Sequence, residues 1–285
     1  MNDFILASSP IQPHLQSLLV GCREQLIIAS PYITRSAVEW LVQVKQSTLK
    51  RLSLLTNVSL ANIINKSLDL GALRLFLSSF DDVSIVSLPN LHAKVFVADI
   101  EVAFVTSANF TNGGLWTNYE YGILVSDRQV VRQIAQDMNA YMLLGGSISD
   151  SLLNQVEQKA QQLAAFREQV EADPATRELK KKVRQSQIEL QNKLLINRLG
   201  QGRTINGLFT KTIVWLLERH PNGMTTPQLH QQIQFIHPDI CDDSIDRVID
   251  GQHFGKRWKH YVRRAQEYLK EKGKIRNIDG IWSLS

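Results

Sequence analysis

The first 145 residues alternate between strand-like and helix-like hydrophobic patterns. Short apolar runs typical of buried strands occur at 26–30, 52–55, 83–88, 94–98, 102–105 and 121–126. Apolar residues with helical spacing occur between and after them, at 36–44, 61–80 and 130–144. The runs at 94–98 and 102–105 are close enough to form a hairpin. Strands mixed with helices predict an α/β domain over residues 1–148, with a layered mixed β-sheet flanked by helices.

Residues 149–203 follow a different pattern and are rich in Gln, Glu, Lys and Leu. We expect two helices here, separated at Asp173-Pro174, because Asp suits an N-cap and Pro suits the first helical position. Gly200 and Gly202 then end the second helix. The segment is interpreted as a helical connector between two domains.

The last part of the chain, residues 204–285, is predicted to be mostly helical. Helices are expected at 208–218, 226–233, 242–249 and 256–272. In the last of these, Trp258, Val262, Ala265 and Leu269 form one apolar stripe, and basic residues occupy the remaining face. A hairpin with an Asp279-Gly280 turn follows. This order predicts a winged helix-turn-helix, with the basic helix in a DNA major groove and the hairpin as the wing.

The positive charge of the chain is concentrated in its second half. The 285 residues include 32 Lys and Arg and 27 Asp and Glu, which gives a formal net charge of +5. Residues 1–150 hold only 10 of the basic and 12 of the acidic residues. Basic clusters attract nucleic-acid backbones through counterion release, so we expect double-stranded DNA as a partner. The predicted DNA-binding residues are Lys256, Arg257, Lys259, His260, Arg263, Arg264, Lys274 and Arg276.

Composition and motifs exclude several other classes of protein. No apolar run approaches the roughly 18 residues of a membrane span, and the first residues do not resemble a signal peptide, so we expect a cytoplasmic protein without a membrane partner. The two cysteines, without a C-x-x-C pair, exclude a disulfide framework and a cysteine zinc site. Glu157-Gln158-Lys159 has the form of a metal-nuclease motif, but Pro238-Asp239 follows it where the Pro-Asp partner should precede it. We therefore expect no metal and no cofactor.

One segment combines the residue types that phosphoryl transfer requires: His92, Lys94, Ser107, Asn109 and Glu120. On a strand, His92 and Lys94 would point to the same face. The lysine charge favours the neutral, nucleophilic imidazole and also binds phosphate. Ser107 and Asn109 could offer a hydroxyl and an amide to phosphate oxygens, and Glu120 could accept the proton of the other imidazole nitrogen.

The spacing His92-x-Lys94-x4-Asp99-x6-Thr106-Ser107-x-Asn109 resembles the HKD signature of the phospholipase D superfamily. Gly114-Leu115-x-x-Asn118-x-Glu120 extends the resemblance, which covers roughly residues 20 to 145. Thr106 stands where the family often has glycine. Asp99 is expected to be structural, in the turn between two strands. The resemblance implies that His92 attacks phosphorus and forms a phosphohistidine, while a second histidine protonates the leaving oxygen.

The resemblance also implies a homodimer, because two such motifs make one site. Of the seven histidines, only His92 has a lysine two positions later, so one chain supplies half of the site. The residues Trp258-Lys259-His260-x-Val262-Arg263-x-Ala265 and Gly280-Ile281-Trp282 resemble the winged-helix module of some restriction enzymes.

Together, these features predict a metal-independent DNA endonuclease in a restriction or defence context. One alternative is a lipid phosphodiesterase or phosphatidyltransferase, which uses the same chemistry but usually carries two motifs in one chain. Another is a non-catalytic DNA-binding regulator, against which the complete set of motif residues argues.

Overall fold

The chain forms two compact units, Met1–Leu194 and Leu195–Ser285. The structure is a computed structural model that describes residues 3–59, 62–63, 67–172, 177–199, 204–249 and 252–285. Each unit has its own hydrophobic core. The predicted catalytic residues lie in the first unit, and the basic helix lies in the second.

The first unit is built on a mixed sheet that has eight strands among the described residues. They are β1 (Phe4–Ser8), β2 (Gln25–Ala29), β3 (Arg51–Thr56), β4 (Asp82–Ser87), β5 (Val95–Ala98), β6 (Val102–Thr106), β7 (Tyr121–Val125) and β8 (Gly146–Ser147). Their order across the sheet is β1-β7-β6-β5-β2-β3-β4-β8. β2, β3 and β4 are parallel to one another, and all other neighbouring pairs are antiparallel. The predicted mixed sheet is confirmed, with β1 and β8 as additional strands.

Helices pack on both faces of this sheet. They are α1 (Gln12–Gly21), α2 (Arg35–Val44), α3 (Leu70–Ser79), α4 (Arg128–Leu144), α5 (Asp150–Ala172) and α6 (Arg177–Leu199). Leu19 of α1, Val38 of α2 and Phe76 of α3 join Phe96 and Phe104 of the sheet in one core. The opposite face is covered by α4, which contacts β2, β3, β5 and β6. The single helix expected at 61–80 is wrong in part: residues 67–69 are not helical, and Asp69 caps the start of α3 at Leu70. Residues 61 and 64–66 lie outside the described residues.

The face that α4 covers remains open on the side of β1 and β7. Cross-strand register places Phe4 beside Val125 and Leu6 beside Ile123, and continues through β6 to Val97 and Val95 of β5. Directly paired residues share a face of the sheet. Val95 and Val97 are buried, whereas Phe4 is 47% exposed, Leu6 57% and Tyr121 56%. We call Phe4, Leu6 and Tyr121 the β1–β7 strip.

The two helices of the predicted connector pack against the first unit. Leu152, Leu153 and Val156 of α5 and Leu190 of α6 belong to its core. Arg74 of α3 pairs with Glu157 of α5 at 2.5 Å. The domain limits 1–148, 149–203 and 204–285 stay a prediction. Asp173-Pro174, Gly200 and Gly202, which were expected to end these helices, lie outside the described residues.

The second unit combines helices with a small antiparallel sheet. Its elements are α7 (Ile205–Arg219), β9 (Met224–Thr225), α8 (Thr226–Ile236), β10 (Asp246–Ile249), β11 (Gln252–Lys256), α9 (Arg257–Glu271), β12 (Ile275–Ile278) and β13 (Ile281–Leu284). β13 lies between β12 and β9. Phe209 and Ile213 of α7 pack with Trp258, Val262 and Leu269 of α9 in the core, so the predicted apolar stripe of α9 is confirmed.

Two further predictions for this unit, a hairpin at the carboxyl end and a helix at 242–249, had different outcomes. The hairpin predicted at the carboxyl end is confirmed: Asp279 and Gly280 both have positive φ, 49° and 83°, as a tight two-residue hairpin requires. The helix predicted at 242–249 is wrong, because β10 pairs there with β11. Val248 and Ile249 are β-branched and favour a strand, and Asp250-Gly251, next in sequence, is a dipeptide that favours hairpin turns.

One histidine of the second unit is held in its neutral form by its surroundings. His230 of α8 packs edge-on against the indole of Trp258, with 5.3 Å between ring centroids. Burial, together with the charges of Lys259 and Arg263, lowers the pKa of His230 to about 4 from an ordinary value near 6.5. The unfolded chain therefore binds a proton at this position at a higher pH than the folded chain does.

This difference predicts an acid-sensitive second unit. As pH falls from 6.5 towards 4, the unfolded state gains a proton first, so the free energy of unfolding should fall by roughly 1 to 2 kcal/mol, with partial exposure of His230 limiting the effect. His230→Phe keeps an aromatic ring against Trp258 and should lose most of this pH dependence in thermal melts. His253→Ala, at an exposed histidine of the same unit, is the control. Equal pH dependence in His230→Phe and wild type would contradict the prediction.

Candidate active site

The predicted catalytic residues lie at one edge of the large sheet. His92 and Lys94 precede β5, Ser107 and Asn109 follow β6, and Glu120 precedes β7. Because β5 and β7 are antiparallel to β6, the starts of β5 and β7 lie at the same edge as the end of β6. We call this the active-site edge.

The prediction that His92 and Lys94 lie on a strand is wrong, because β5 begins at Val95. Asn90 has a left-handed backbone with φ of 58°, and the Leu91 amide donates to the Leu88 carbonyl at 3.4 Å, so the chain turns before the strand. Lys94 turns its side chain back and donates from Nζ to the carbonyl oxygen of His92 at 2.7 Å. Lys94 therefore holds the backbone of His92 directly.

Lys94 is a buried cation, with 7% of its surface exposed. Burial lowers the pKa of Lys94, and the negative charge of Glu120 opposes that change. In a partly desolvated position the lysine charge acts more strongly on a bound anion than it would in water. The imidazole of His92, by contrast, is exposed and makes no hydrogen bond with another residue that the structure describes.

The carboxylate of Glu120 binds two side chains of the site. The Ser107 hydroxyl donates to Oε2, and Nδ2 of Asn118 donates to Oε1 at 3.2 Å. The backbone amide of Tyr121 in turn donates to the Ser107 hydroxyl at 3.1 Å. The predicted contact between Glu120 and the imidazole of His92 is absent from the described residues, because Ser107 and Asn118 occupy the carboxylate instead. Within one chain, Glu120 orients Ser107 and Asn118.

The backbone around Asn109 is closely packed. A short π-helix, Gly113–Thr117, follows it. A Cβ atom at Gly114 would lie 2.2 Å from the carbonyl oxygen of Asn109, so only glycine permits this approach. The side-chain oxygen Oδ1 of Asn109 is buried and has no hydrogen-bond partner among the described residues. A buried acceptor without an internal partner calls for a hydrogen-bond donor from a bound water or ligand.

Thr106 contributes to the same loop, although the family often has glycine at this position. Its hydroxyl donates to the carbonyl oxygen of Tyr121 at 3.1 Å and accepts from the amide of Ala108 at 3.1 Å. The threonine thus joins the end of β6 to the start of β7.

Asp99 lies at the opposite end of β5 from Lys94. Its carboxylate accepts hydrogen bonds from the backbone amides of Arg23, Glu24 and Gln25 at 2.6, 2.9 and 2.9 Å. Burial opposes ionisation, but these amides outweigh it and lower the pKa of Asp99. Burial and the charge of Asp99 raise the pKa of the neighbouring Cys22 thiol to about 12. Asp99 holds the entry to β2 and is remote from the active-site edge.

The sequence patterns missed Ser9, at the end of β1. Its side chain bonds to the segment that carries Glu120. The signal for it was the apolar run 4–7 followed by Ser8-Ser9-Pro10, which is typical of a strand that ends in a turn.

The charged residues of the segment that has the form of a metal-nuclease motif are engaged in ion pairs. Glu157 pairs with Arg74, and Lys159 pairs with Glu189 of α6. In the described ranges, no three His, Cys, Asp or Glu side chains come together as a metal site. No described helix is both long enough and apolar enough to cross a membrane.

The residues predicted to bind DNA fall into two groups. Arg257, Arg263 and Arg264 are exposed on α9, and Lys274 is exposed after it. The others make contacts within the unit. Lys256 pairs with Asp246 at 2.8 Å, Lys259 lies over the ring of Trp258 at 5.4 Å, and Nε of Arg276 donates to Ser283 at 3.3 Å.

His260 ties α9 to the β10–β11 hairpin. Its Nε2 is 2.6 Å from the carbonyl oxygen of Phe254, which can only accept, so Nε2 carries the proton. Nδ1 then accepts from Nη1 of Arg247 at 2.9 Å. Both ring nitrogens of His260 are therefore engaged inside the unit.

The first unit matches a known family. Residues 15–142 match the sequence model described as cardiolipin synthase, PLD-like domain. The matched segment is therefore similar to a phospholipase D-like domain, and it includes all five predicted catalytic residues. A comparison with curated proteins finds no significant match.

Several solved structures resemble part of this chain at low sequence identity. NucT from Helicobacter pylori is 18% identical, with a TM-score of 0.42, and the match covers 51% of this chain and 98% of that chain. Nuc from Salmonella typhimurium, a phospholipase D family member, is 14% identical, with a TM-score of 0.42 over 52% and 98%. Phosphatidylserine synthase from Haemophilus influenzae Rd KW20 is 14% identical, with a TM-score of 0.44 over 60% and 46%.

Proposed function

We propose that this protein is a metal-independent DNA endonuclease that hydrolyses phosphodiester bonds at a homodimer interface, in a restriction or defence context. The observation that carries the proposal is the active-site edge, where His92, a buried Lys94 and the Glu120–Ser107 pair stand together. The basic second unit supports DNA as the substrate.

The proposed reaction has two displacements at phosphorus. A neutral imidazole nitrogen of His92 attacks, the bond from phosphorus to the leaving oxygen breaks, and that oxygen takes a proton from the partner's His92. Water then attacks the phosphohistidine and gives its proton to the partner's His92, which releases the free imidazole of the first subunit. Lys94, Ser107 and Asn109 stabilise the negative charge on the phosphoryl oxygens.

The second histidine is proposed to come from a second copy of the chain. Only His92 has a lysine two positions later, so the site is incomplete in one chain. The β1–β7 strip supports the location of the partner, because it is an open apolar area on a sheet face that α4 otherwise covers. Tyr121 of this strip directly follows Glu120, so the strip reaches the active-site edge.

The second unit is proposed to be a winged helix-turn-helix that binds DNA through α9. The strands β10 and β11 are an insertion between α8 and α9. Apart from them, the order α7, β9, α8, α9, β12, β13, with β13 between β12 and β9, is the order expected of such a domain. The first two turns of α9 hold four exposed basic residues and no acidic one: Arg257, Lys259, Arg263 and Arg264. In the last two turns, Lys270 is outnumbered by Glu267 and Glu271. We therefore assign DNA contact to the amino-terminal half of α9.

His92→Ala tests the chemistry. Purified wild type should cleave DNA in the presence of a chelator, because the proposed nucleophile and charge-stabilising groups are all side chains of the protein. His92→Ala should lose cleavage by at least about a thousandfold, as expected for loss of a nucleophile, and should bind DNA as wild type does. Supercoiled, linear and single-stranded DNA and a phosphatidyl lipid are the substrates to compare.

His14→Ala, at another histidine of the first unit, is the matched control and should cleave normally. Cleavage that disappears in chelator and returns with magnesium would contradict the metal-independent mechanism. Hydrolysis of the lipid without cleavage of DNA would favour the lipid phosphodiesterase alternative. DNA binding without cleavage of any substrate would favour the regulator.

Charge placed on the β1–β7 strip tests the dimer. Wild type should sediment as a dimer, and Leu6→Glu should sediment as a monomer with little cleavage activity, because it buries a charge at the proposed interface. Val20→Glu is the control, since Val20 of α1 is also exposed but lies outside the strip. A monomeric wild type that cleaves DNA would overturn the shared site.

Arg263→Ala combined with Arg264→Ala tests DNA binding by α9. The double variant should weaken binding and reduce the slope of log affinity against log salt concentration by about 2, as the loss of two phosphate contacts would do. Lys211→Ala with Lys272→Ala removes the same charge elsewhere in the unit and is the control. A salt slope equal to that of wild type would place the DNA contact on another surface.

A further inference from the structure

We infer that Ser9 is a positioning residue for the active site, because its hydroxyl fixes the backbone that presents Glu120. The inference rests on the proposed function, since it assigns a role in that same site. Ser9 lies outside the segment that matches the phospholipase D-like family, which begins at residue 15. The assignment depends on the contacts of this chain alone.

The Ser9 hydroxyl joins two points of the segment 118–120. It donates to the carbonyl oxygen of Asn118 at 2.7 Å, and it accepts from the backbone amide of Glu120. The backbone amide of Ser9 donates to the carbonyl oxygen of Glu120 at 3.1 Å. One residue thus satisfies backbone groups on both sides of Tyr119.

These bonds extend the pairing of β1 with β7 beyond the end of the sheet. The last strand pair is Ser8 with Tyr121. Past that pair, hydrogen bonds of the Ser9 side chain take the place of regular strand pairing, where the backbone bends at Ser9 and Asn118. Tyr119 is fully exposed, so its side chain does not pack against the described residues and cannot hold the segment in place.

The segment held by Ser9 carries Asn118 and Glu120, whose side chains are hydrogen-bonded to each other. Glu120 also bonds to Ser107 across the site. A shift of the backbone at 118–120 would therefore move Ser107, Asn118 and Glu120 together. Such a shift should affect the rate of the chemical step more than the binding of substrate.

Ser9→Ala, Ser9→Thr and Ser8→Ala form the test set. Ser9→Ala removes the bridging hydroxyl, Ser9→Thr retains it, and Ser8→Ala changes an exposed neighbour. Steady-state cleavage of DNA in chelator is measured, and bis(p-nitrophenyl) phosphate serves as a second phosphodiester probe. We expect Ser9→Ala to lower kcat about tenfold with KM within about twofold, the loss expected for one hydrogen bond. Ser9→Thr should recover most of this loss, and Ser8→Ala should match wild type.

A double-mutant cycle with Glu120→Ala separates positioning from general stability. If Ser9 acts through Glu120, Ser9→Ala in the Glu120→Ala background should change kcat by less than about twofold. Losses that multiply in the double variant would overturn the inference, and so would a Ser9→Thr variant as slow as Ser9→Ala.

Hydrogen–deuterium exchange tests the same inference without any activity. The Glu120 amide should exchange at least about tenfold faster in Ser9→Ala than in wild type, and the amides of β5 should be unchanged. If wild type hydrolyses neither probe, the proposed function fails and the exchange result alone decides. Equal exchange in wild type and Ser9→Ala would overturn the role of Ser9.

Discussion

The candidate active site depends on the direction of five adjacent strands, β1-β7-β6-β5-β2. Each is antiparallel to its neighbour, so three strand ends and two strand starts share one edge. His92, Asn109 and Glu120 are far apart in sequence, and this arrangement is what brings their loops together. A register slip of one residue would move a whole strand's side chains to the opposite face and separate them. The many buried apolar residues on both faces make such a slip costly.

Polar groups at this edge are held mainly by the backbone. Lys94 bonds to the carbonyl oxygen of His92, the Ser107 hydroxyl accepts from the Tyr121 amide, and Thr106 bridges β6 and β7. Side chains fixed in this way lose little conformational entropy when substrate arrives. His92, in contrast, has no internal restraint on its imidazole among the described residues. The charge-stabilising groups are prearranged, and the proposed nucleophile is free to approach phosphorus.

Sequence patterns predicted the central strands of the large sheet and missed β1 and β8, the strands at its two edges. The runs at 26–30 and 94–98 contain continuous apolar residues, and both are central strands. β1 was missed because it is an edge strand whose apolar residues are largely exposed. The residues of the candidate site could be proposed from spacing, but their contacts could not. Glu120 could reach either an imidazole or a hydroxyl in principle, and only the folded chain shows that Ser107 and Asn118 bind it. Likewise, the spacing of apolar residues at 242–249 favoured a helix. In the folded chain β10 pairs there with β11, and Arg247 of β10 bonds to His260 of α9.

The burial of both cysteines has a practical consequence. Cys22 and Cys241 are buried in the two cores and form no disulfide in the part of the chain that the structure describes, and the high pKa of Cys22 keeps it protonated at neutral pH. Since the thiolate is the reactive form, maleimide dyes and spin labels should leave Cys22 untouched, and burial protects Cys241. A cysteine introduced on the surface would thus become a single addressable point in an otherwise native chain. Distances between labels on two copies could then be read by spectroscopy without first removing the natural cysteines.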